Sequence, residues 1–232
     1  MDAKSVIKYS VLIKNYLKSD IEDIFFNDGT IDIVGDVVLD TITLPLPTEQ
    51  SLSGECFLSI PFGKITGSFS VVCDADVRYL NSFKNFPTEI TKDLTVNGGN
   101  FHNFDNFPEK IGGSIYLKDN QIDSLKGMNI ENVNGDFNCS LNNLKSLEGC
   151  PKHIEGDFNC SFNFLKDFSF APEYVGGLML CTNLIFNAKI DVERLNNITF
   201  GDQNSIINLH KYKEYLNFNK LDSSLQRRII TE

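Results

Sequence analysis

One fifteen-residue stretch of this chain occurs almost twice. Residues 135–149 read GDFNCSLNNLKSLEG, and residues 156–170, 21 positions on, read GDFNCSFNFLKDFSF. Near-identity at a fixed period marks a chain built from stacked units, none of which buries its apolar side without a neighbour. The shared element is Φ-x-G-x-Φ-x-Φ, where Φ is apolar. It stands as VNGDFNC from Val133, IEGDFNC from Ile154 and VGGLMLC from Val175. Earlier copies are IGGSIYL from Ile111, ITKDLTV from Ile90 and ITGSFSV from Ile65, with fainter ones from Leu52 and Ile33 and a degenerate RLNNITF from Arg194. The steps between starts are 19, 13, 25, 21, 22, 21, 21 and 19, so the central coils are regular and the step of 13 is too short for a full coil.

Each good copy continues alike. An Asn stands two positions before an apolar residue (Asn120 and Ile122, Asn142 and Leu144, Asn163 and Leu165), another apolar residue follows at Leu125, Leu147 or Phe168, and Pro87, Pro108, Pro151 and Pro172 each precede a new copy by three. Alternating apolar residues point one way from a short strand. Stacked coils then pair their strands in a parallel sheet about 4.8 Å apart. The Asn falls where the chain turns, and its amide is suited to bond the backbone of the bend and of the next coil. Pro suits a segment that needs no ladder N–H.

The motif Phe137-x-Cys139-x-x-Asn142-x-Leu144, repeated from Phe158, resembles the leucine-rich repeat, whose core reads L-x-L-x-x-N-x-L. Its Cys- and Phe-bearing form is similar to repeats of bacteriophage and other microbial or viral proteins. The resemblance covers about residues 31–200. It implies a leucine-rich-repeat solenoid of ~21-residue coils, with a parallel sheet on the concave face and an irregular or 3-10 convex side. Residues 1–30 are expected to form an N-terminal capping helix and hairpin, 31–200 the solenoid, and 201–232 a C-terminal helical cap. Val6, Tyr9, Ile13 and Leu17 recur at helical spacing, and Asn27-Asp28-Gly29 between apolar alternations signals a hairpin. Pro61-Phe62-Gly63 suggests a second hairpin that would account for the short step. Strands are expected at 36–40, 68–72, 93–97, 114–118, 136–140, 157–161, 178–182 and 197–200.

Composition narrows the function classes. The net charge of −10 disfavours direct nucleic-acid binding and favours a protein with a basic surface. No apolar run reaches a membrane-spanning length, and Lys8 and Lys14 interrupt the only candidate leader segment, so a cytoplasmic location is expected, in the host if the chain is phage-encoded. Of the six Cys, Cys139, Cys160 and Cys181 share one column and read as small apolar filling rather than a redox or metal column. Cys150 and His153 lack the second pair a zinc site needs, and Asp74-Ala75-Asp76 lacks the remainder of a calcium loop. No nucleophile elbow or phosphate loop is present. The expectation is a non-enzymatic protein with no cofactor and no metal.

The outward positions of the strands carry the remaining signal. One column holds Asp36, Glu55, Ser68, Asp93, Ser114, Asp136, Asp157 and Leu178. The next holds Val38, Phe57, Ser70, Thr95, Tyr116, Asn138, Asn159 and Leu180. Two readings fit this polar, acidic face: a docking surface for a basic partner, or solvated residues that keep the sheet soluble. On the first, Asp93, Tyr116, Asp136, Asn138, Asp157 and Asn159 carry the binding, and the acidic strip adds no stability of its own. The function expected is then a protein-binding module, which the resemblance extends to a phage protein that modulates a host factor. The alternatives are a virion or assembly component, and an enzyme with an unrecognised site, for which the insertion at 74–79 and the segment 182–194 are the candidate places.

Overall fold

The computed structural model describes residues 1–17, 21–40, 46–73, 80–165, 169–181 and the strand Thr199–Phe200. It is a β-solenoid. Each Φ-x-G-x-Φ-x-Φ heptamer is two short strands joined by a corner at the Gly. The first strand contains the leading Φ, at or near its end, and the second carries the alternating pair. The second strands, Val37–Asp40, Phe69–Val72, Leu94–Asn97, Ile115–Tyr116, Phe137–Asn138, Phe158–Asn159 and Met179–Leu180, form one seven-stranded sheet in chain order. Every neighbouring pair in it is parallel, with Ile115 opposite Phe137 and Phe137 opposite Phe158. The first strands stack likewise, Phe62–Thr66, Glu89–Ile90 and Lys110–Ile111 in one sheet and Asn132–Val133, His153–Ile154, Tyr174–Val175 and Thr199–Phe200 in another. Pro87, Pro108, Pro151 and Pro172 are buried just before these strands. The residue after each opens the ladder, as where Glu109 N–H donates to Thr88 O and Glu173 N–H to Lys152 O.

Two parts of the expected arrangement are corrected. The copy from Leu52 is not a coil. Cys56–Leu58 pairs antiparallel with Thr48–Gln50, and Val37–Asp40 lies directly beside Phe69–Val72. The steps of 19 and 13 are therefore one long coil that carries a hairpin, and Glu55 and Phe57 leave the outward columns. The hairpin uses the segment before Cys56 rather than the one after Pro61, because Phe62–Thr66 is already paired in parallel with Ile31–Gly35. The last copy is out of register. Phe200 pairs with Val175, so Thr199–Phe200 continues the first strands and not the second. The positions 74–79, 182–194 and 201–232, which include the expected C-terminal helices, lie outside the described residues.

The helix Ala3–Tyr16 begins where the Asp2 carboxylate accepts the Ser5 N–H, and it packs on the core through Ile13 with Tyr9, Leu12 and Tyr16 beside it. The strands Ile21–Phe26 and Ile31–Gly35 form the antiparallel hairpin that Asn27-Asp28-Gly29 signals. Inside the early coils, phenylalanine rings touch in a continuous chain from Phe62 through Phe69, Phe86 and Phe83 to Phe101 and Phe107. In later coils Phe137 and Phe158 stack 5.8 Å apart beside Cys139 and Cys160, all fully buried. The loop before each first strand turns at a residue of positive φ: Asn85, Asn106, Gly127 and Gly149, each third in a turn closed by a bond such as Phe86 N–H to Phe83 O.

The Asn positions behave as the spacing predicts. Asn142 is buried. Its Oδ1 accepts the N–H groups of Asn120 and Ile122 at 3.0 Å, and its Nδ2 donates to the carbonyls of Leu117 in the previous coil and Cys139 in its own. Asn163 repeats this with Leu144 N–H and the carbonyls of Cys139 and Cys160. These amides replace strand-to-strand bonds where the sheet ends, so the backbone groups they meet are satisfied within the core.

Candidate protein-binding face

Most coils place a Gly at the corner with Asp or Ser just after it; Lys92 takes the Gly position in one coil, and Leu178 follows the Gly in the last. The second residue is the one that lines up across coils. Asp93 Oδ1 accepts the Ser114 N–H at 2.7 Å, Ser114 Oγ accepts the Asp136 N–H at 3.0 Å, Asp136 Oδ1 accepts the Asp157 N–H at 2.8 Å, and Asp157 Oδ1 accepts the Leu178 N–H at 2.7 Å. Asp36 serves Ser68 in the same way. The glycine before each donor leaves the room. A Cβ at Gly113, Gly156 or Gly177 would overlap the carboxylate of Asp93, Asp136 or Asp157, and one at Gly135 the Ser114 hydroxyl. The recurring Gly-Asp pair is thus a lock between coils. Each Asp caps the corner of the next coil, and that coil's Gly admits it. The acidic strip therefore does contribute to stability, contrary to the expectation from sequence, because each carboxylate satisfies a backbone donor at the corner between the two ladders.

The structure brings the six expected binding residues into one face. Tyr116, Asn138 and Asn159 are successive partners across the sheet, half-buried between the fully buried positions, and the Asp column stands two residues before theirs, on the same face. The Tyr116 hydroxyl donates to Asp136 Oδ2 at 2.9 Å. A hydrogen bond to Ser114 pulls the Tyr116 phenol down, but burial and the carboxylates of Asp136 and Asp93 outweigh it and hold the phenol above its ordinary range. Asn138 and Asn159 each accept, through Oδ1, the N–H two residues on, at Ser140 and Ser161, which fixes the end of the strand. The Ser68 N–H, with Lys92 at 3.6 Å, lowers the Asp36 carboxyl. Lys118 is an exposed cation beside Tyr116.

The other candidate chemistry falls into place as packing. Burial pushes the Cys139 thiol up to about 12 and the Cys150 and Cys160 thiols well above the usual range. His153 stacks on Tyr174 with centroids 4.2 Å apart and meets Glu155 at 3.0 Å, away from any metal-like group. Among the described residues no three His, Cys, Asp or Glu side chains are grouped to hold a metal ion. Nor is any helix among them long and apolar enough to cross a membrane. Asp74 and Asp76 lie outside the described residues.

Sequence reasoning missed a second feature of this end of the sheet. The residue just before each core Asn has positive φ, as at Asp119, Leu141 and Phe162, with Gly98 in the same column, and Leu141 and Phe162 are exposed. The repeats carry the signal, since Leu141 and Phe162 stand in the column of Gly98 and Asp119. No protein-family model, curated protein or solved structure matches the chain.

Proposed function

We propose that the chain is a non-enzymatic protein-binding module of leucine-rich-repeat type, and that its acidic sheet face takes a basic protein surface. The observation that carries this is Ser114. A neutral hydroxyl fills the locking position there with the same hydrogen bond that carboxylates make at Asp93, Asp136 and Asp157. The lock needs an oxygen acceptor; it does not need charge. Carboxylates on successive coils repel one another, so their charge is surplus to the fold and is suited to attracting a cationic partner over a distance. Tyr116 and the amides of Asn138 and Asn159 supply short-range contacts beside them. The likeness of the repeats to those of phage proteins extends the reading to a host factor as partner.

A second reading, a structural component of an assembly, is favoured by the exposed Phe162, Phe164, Phe170 and Leu180 of the last coils. The solution mass of the pure protein separates the two, since an assembly component forms stable oligomers. The acidic face is tested by changing Asp93, Asp136 and Asp157 together to Ser, which keeps an acceptor at each corner. We expect the variant to unfold within about 1 kcal/mol of wild type. It should associate more slowly at low salt with a partner captured from native lysate, and with a flatter salt dependence. Wild-type association at low salt would leave the carboxylates with their role in the lock alone.

A further inference from the structure

Leu141 and Phe162 occupy the left-handed backbone region, with φ of 56° at both. Only Gly, and less often Asn or Asp, visits that region without penalty; for other residues the cost is about 1–2 kcal/mol. In this column the earlier coils comply, with Gly98 and Asp119. Bulky residues that violate this rule belong in a packed core if packing explains them. These do not pack: Leu141 is 41% exposed and Phe162 is 44% exposed. Phe164, two residues on, is exposed as well, where Gln121 and Asn143 stand in the preceding coils. The ladder carries Leu141 directly beside the Phe162 coil, through Leu141 N–H to Ser161 O at 3.0 Å. Strained backbone and exposed apolar surface thus coincide in adjacent coils. Such outliers persist where function holds them. The same departure recurs at the other end of the last coil, where exposed Phe170 has φ of 68° in the column of Asn85 and Asn106.

We infer that Leu141, Phe162 and Phe164 form an apolar ridge that anchors the apolar side of a cationic, amphipathic protein segment. The ridge begins three residues after Asn138 and Asn159, at the end of the strands that carry the acidic face. The carboxylates of Asp93, Asp136 and Asp157 select the charge of the occupant, and the ridge supplies the desolvated contact that slows its departure. This inference rests on the acidic-face reading for the charge of the partner and on the backbone geometry for the anchor.

The test uses three labelled peptides of equal length, one built from Lys and Leu, one from Lys and Ser, and one from Glu and Leu. Each is titrated by fluorescence anisotropy against the wild-type chain, the Leu141→Asn/Phe162→Asn variant and the Asp93→Ser/Asp136→Ser/Asp157→Ser variant. Asn tolerates positive φ, so the ridge variant keeps its fold, and its unfolding midpoint confirms this. The Lys/Leu peptide should bind wild type most tightly. The ridge variant should lose at least about tenfold for that peptide and nothing for Lys/Ser. The acidic variant should lose affinity for both. Wild-type affinity of the ridge variant for Lys/Leu overturns the ridge while leaving the acidic face standing. Loss in the ridge variant alone refutes the acidic face and with it the cationic occupant. Equal binding of Glu/Leu, or concentration-dependent dimers that vanish in the ridge variant, also overturns the proposal, the latter by assigning the ridge to a second copy.

Discussion

The coils between Phe62 and Phe107 and those between Val133 and Cys181 share one backbone plan and fill it differently. The earlier coils pack ring on ring: Phe83 alone touches Phe86, Phe101, Phe104 and Phe107 with centroids 4.2–5.8 Å apart. Their left-handed positions hold Asn85, Gly98 and Asn106, residues that suit such backbone. The later coils have a leaner interior of Cys139, Cys160, Phe137 and Phe158, and they carry Leu141, Phe162 and Phe170 at left-handed positions with their side chains turned to solvent. Aromatic mass that the earlier coils bury is displayed by the later ones. The difference teaches that repeat position fixes backbone conformation, while side chains at that position remain open to another use. On the proposed reading, the early coils are filled for stability and the late coils for contact.

The sharpest way to break this comparison is through the early core. Phe83→Ala removes the ring shared by four others and should destabilise by about 3–5 kcal/mol, measured by chemical denaturation. A loss below about 1 kcal/mol would mean that the rings are loosely packed and that the two regions do not differ.

The late coils should instead depend on their buried amides. Asn142→Ala leaves the N–H groups of Asn120 and Ile122 and the carbonyls of Leu117 and Cys139 without their partner, and should cost about 1–3 kcal/mol. Asn163→Ala should behave alike. An unchanged midpoint in both would place the amides in solvent.

A smaller effect distinguishes the cysteine-lined interior. The folded thiols of Cys139 and Cys160 are held above their unfolded range by burial. The folded state then keeps protons that the unfolded chain releases. The associated stability is complete below the ordinary thiol range, near 9, and is lost as pH rises from there toward about 12. Replacing both Cys by Ala should flatten the alkaline fall in midpoint between pH 8 and 10 by a measurable fraction. An identical alkaline slope in variant and wild type would show that these thiols titrate freely.

The regular coils were legible because Ile90, Ile111, Val133, Ile154 and Val175 each lead the same heptamer, and side-chain alternation fixes register wherever one face is buried. The segment from Leu52 misled because Cys56–Leu58 alternates like a coil strand although its partner is antiparallel. RLNNITF misled because its apolar spacing fits the heptamer one strand too early, and pairing of Phe200 with Val175 overrules spacing. The six residues of the candidate face were placed on one surface from spacing alone. Their role in the lock was not, because a carboxylate beside a glycine reads as solvated until the next coil's N–H is seen opposite it. The ridge was hidden for a related reason. An exposed Leu or Phe is ordinary, and only its backbone conformation makes it informative.

The central claim, that bulky residues in the late coils occupy left-handed positions for reasons other than stability, is tested most directly by the denaturation midpoint of Phe162→Gly. Glycine is what the same column carries at Gly98. Relief of backbone strain offsets the modest packing lost from a ring that is 44% exposed. The account predicts a stability within about 0.5 kcal/mol of wild type, or above it. A loss of more than about 2 kcal/mol, the size expected when a packed aromatic side chain is removed, would contradict it and return Phe162 to the core.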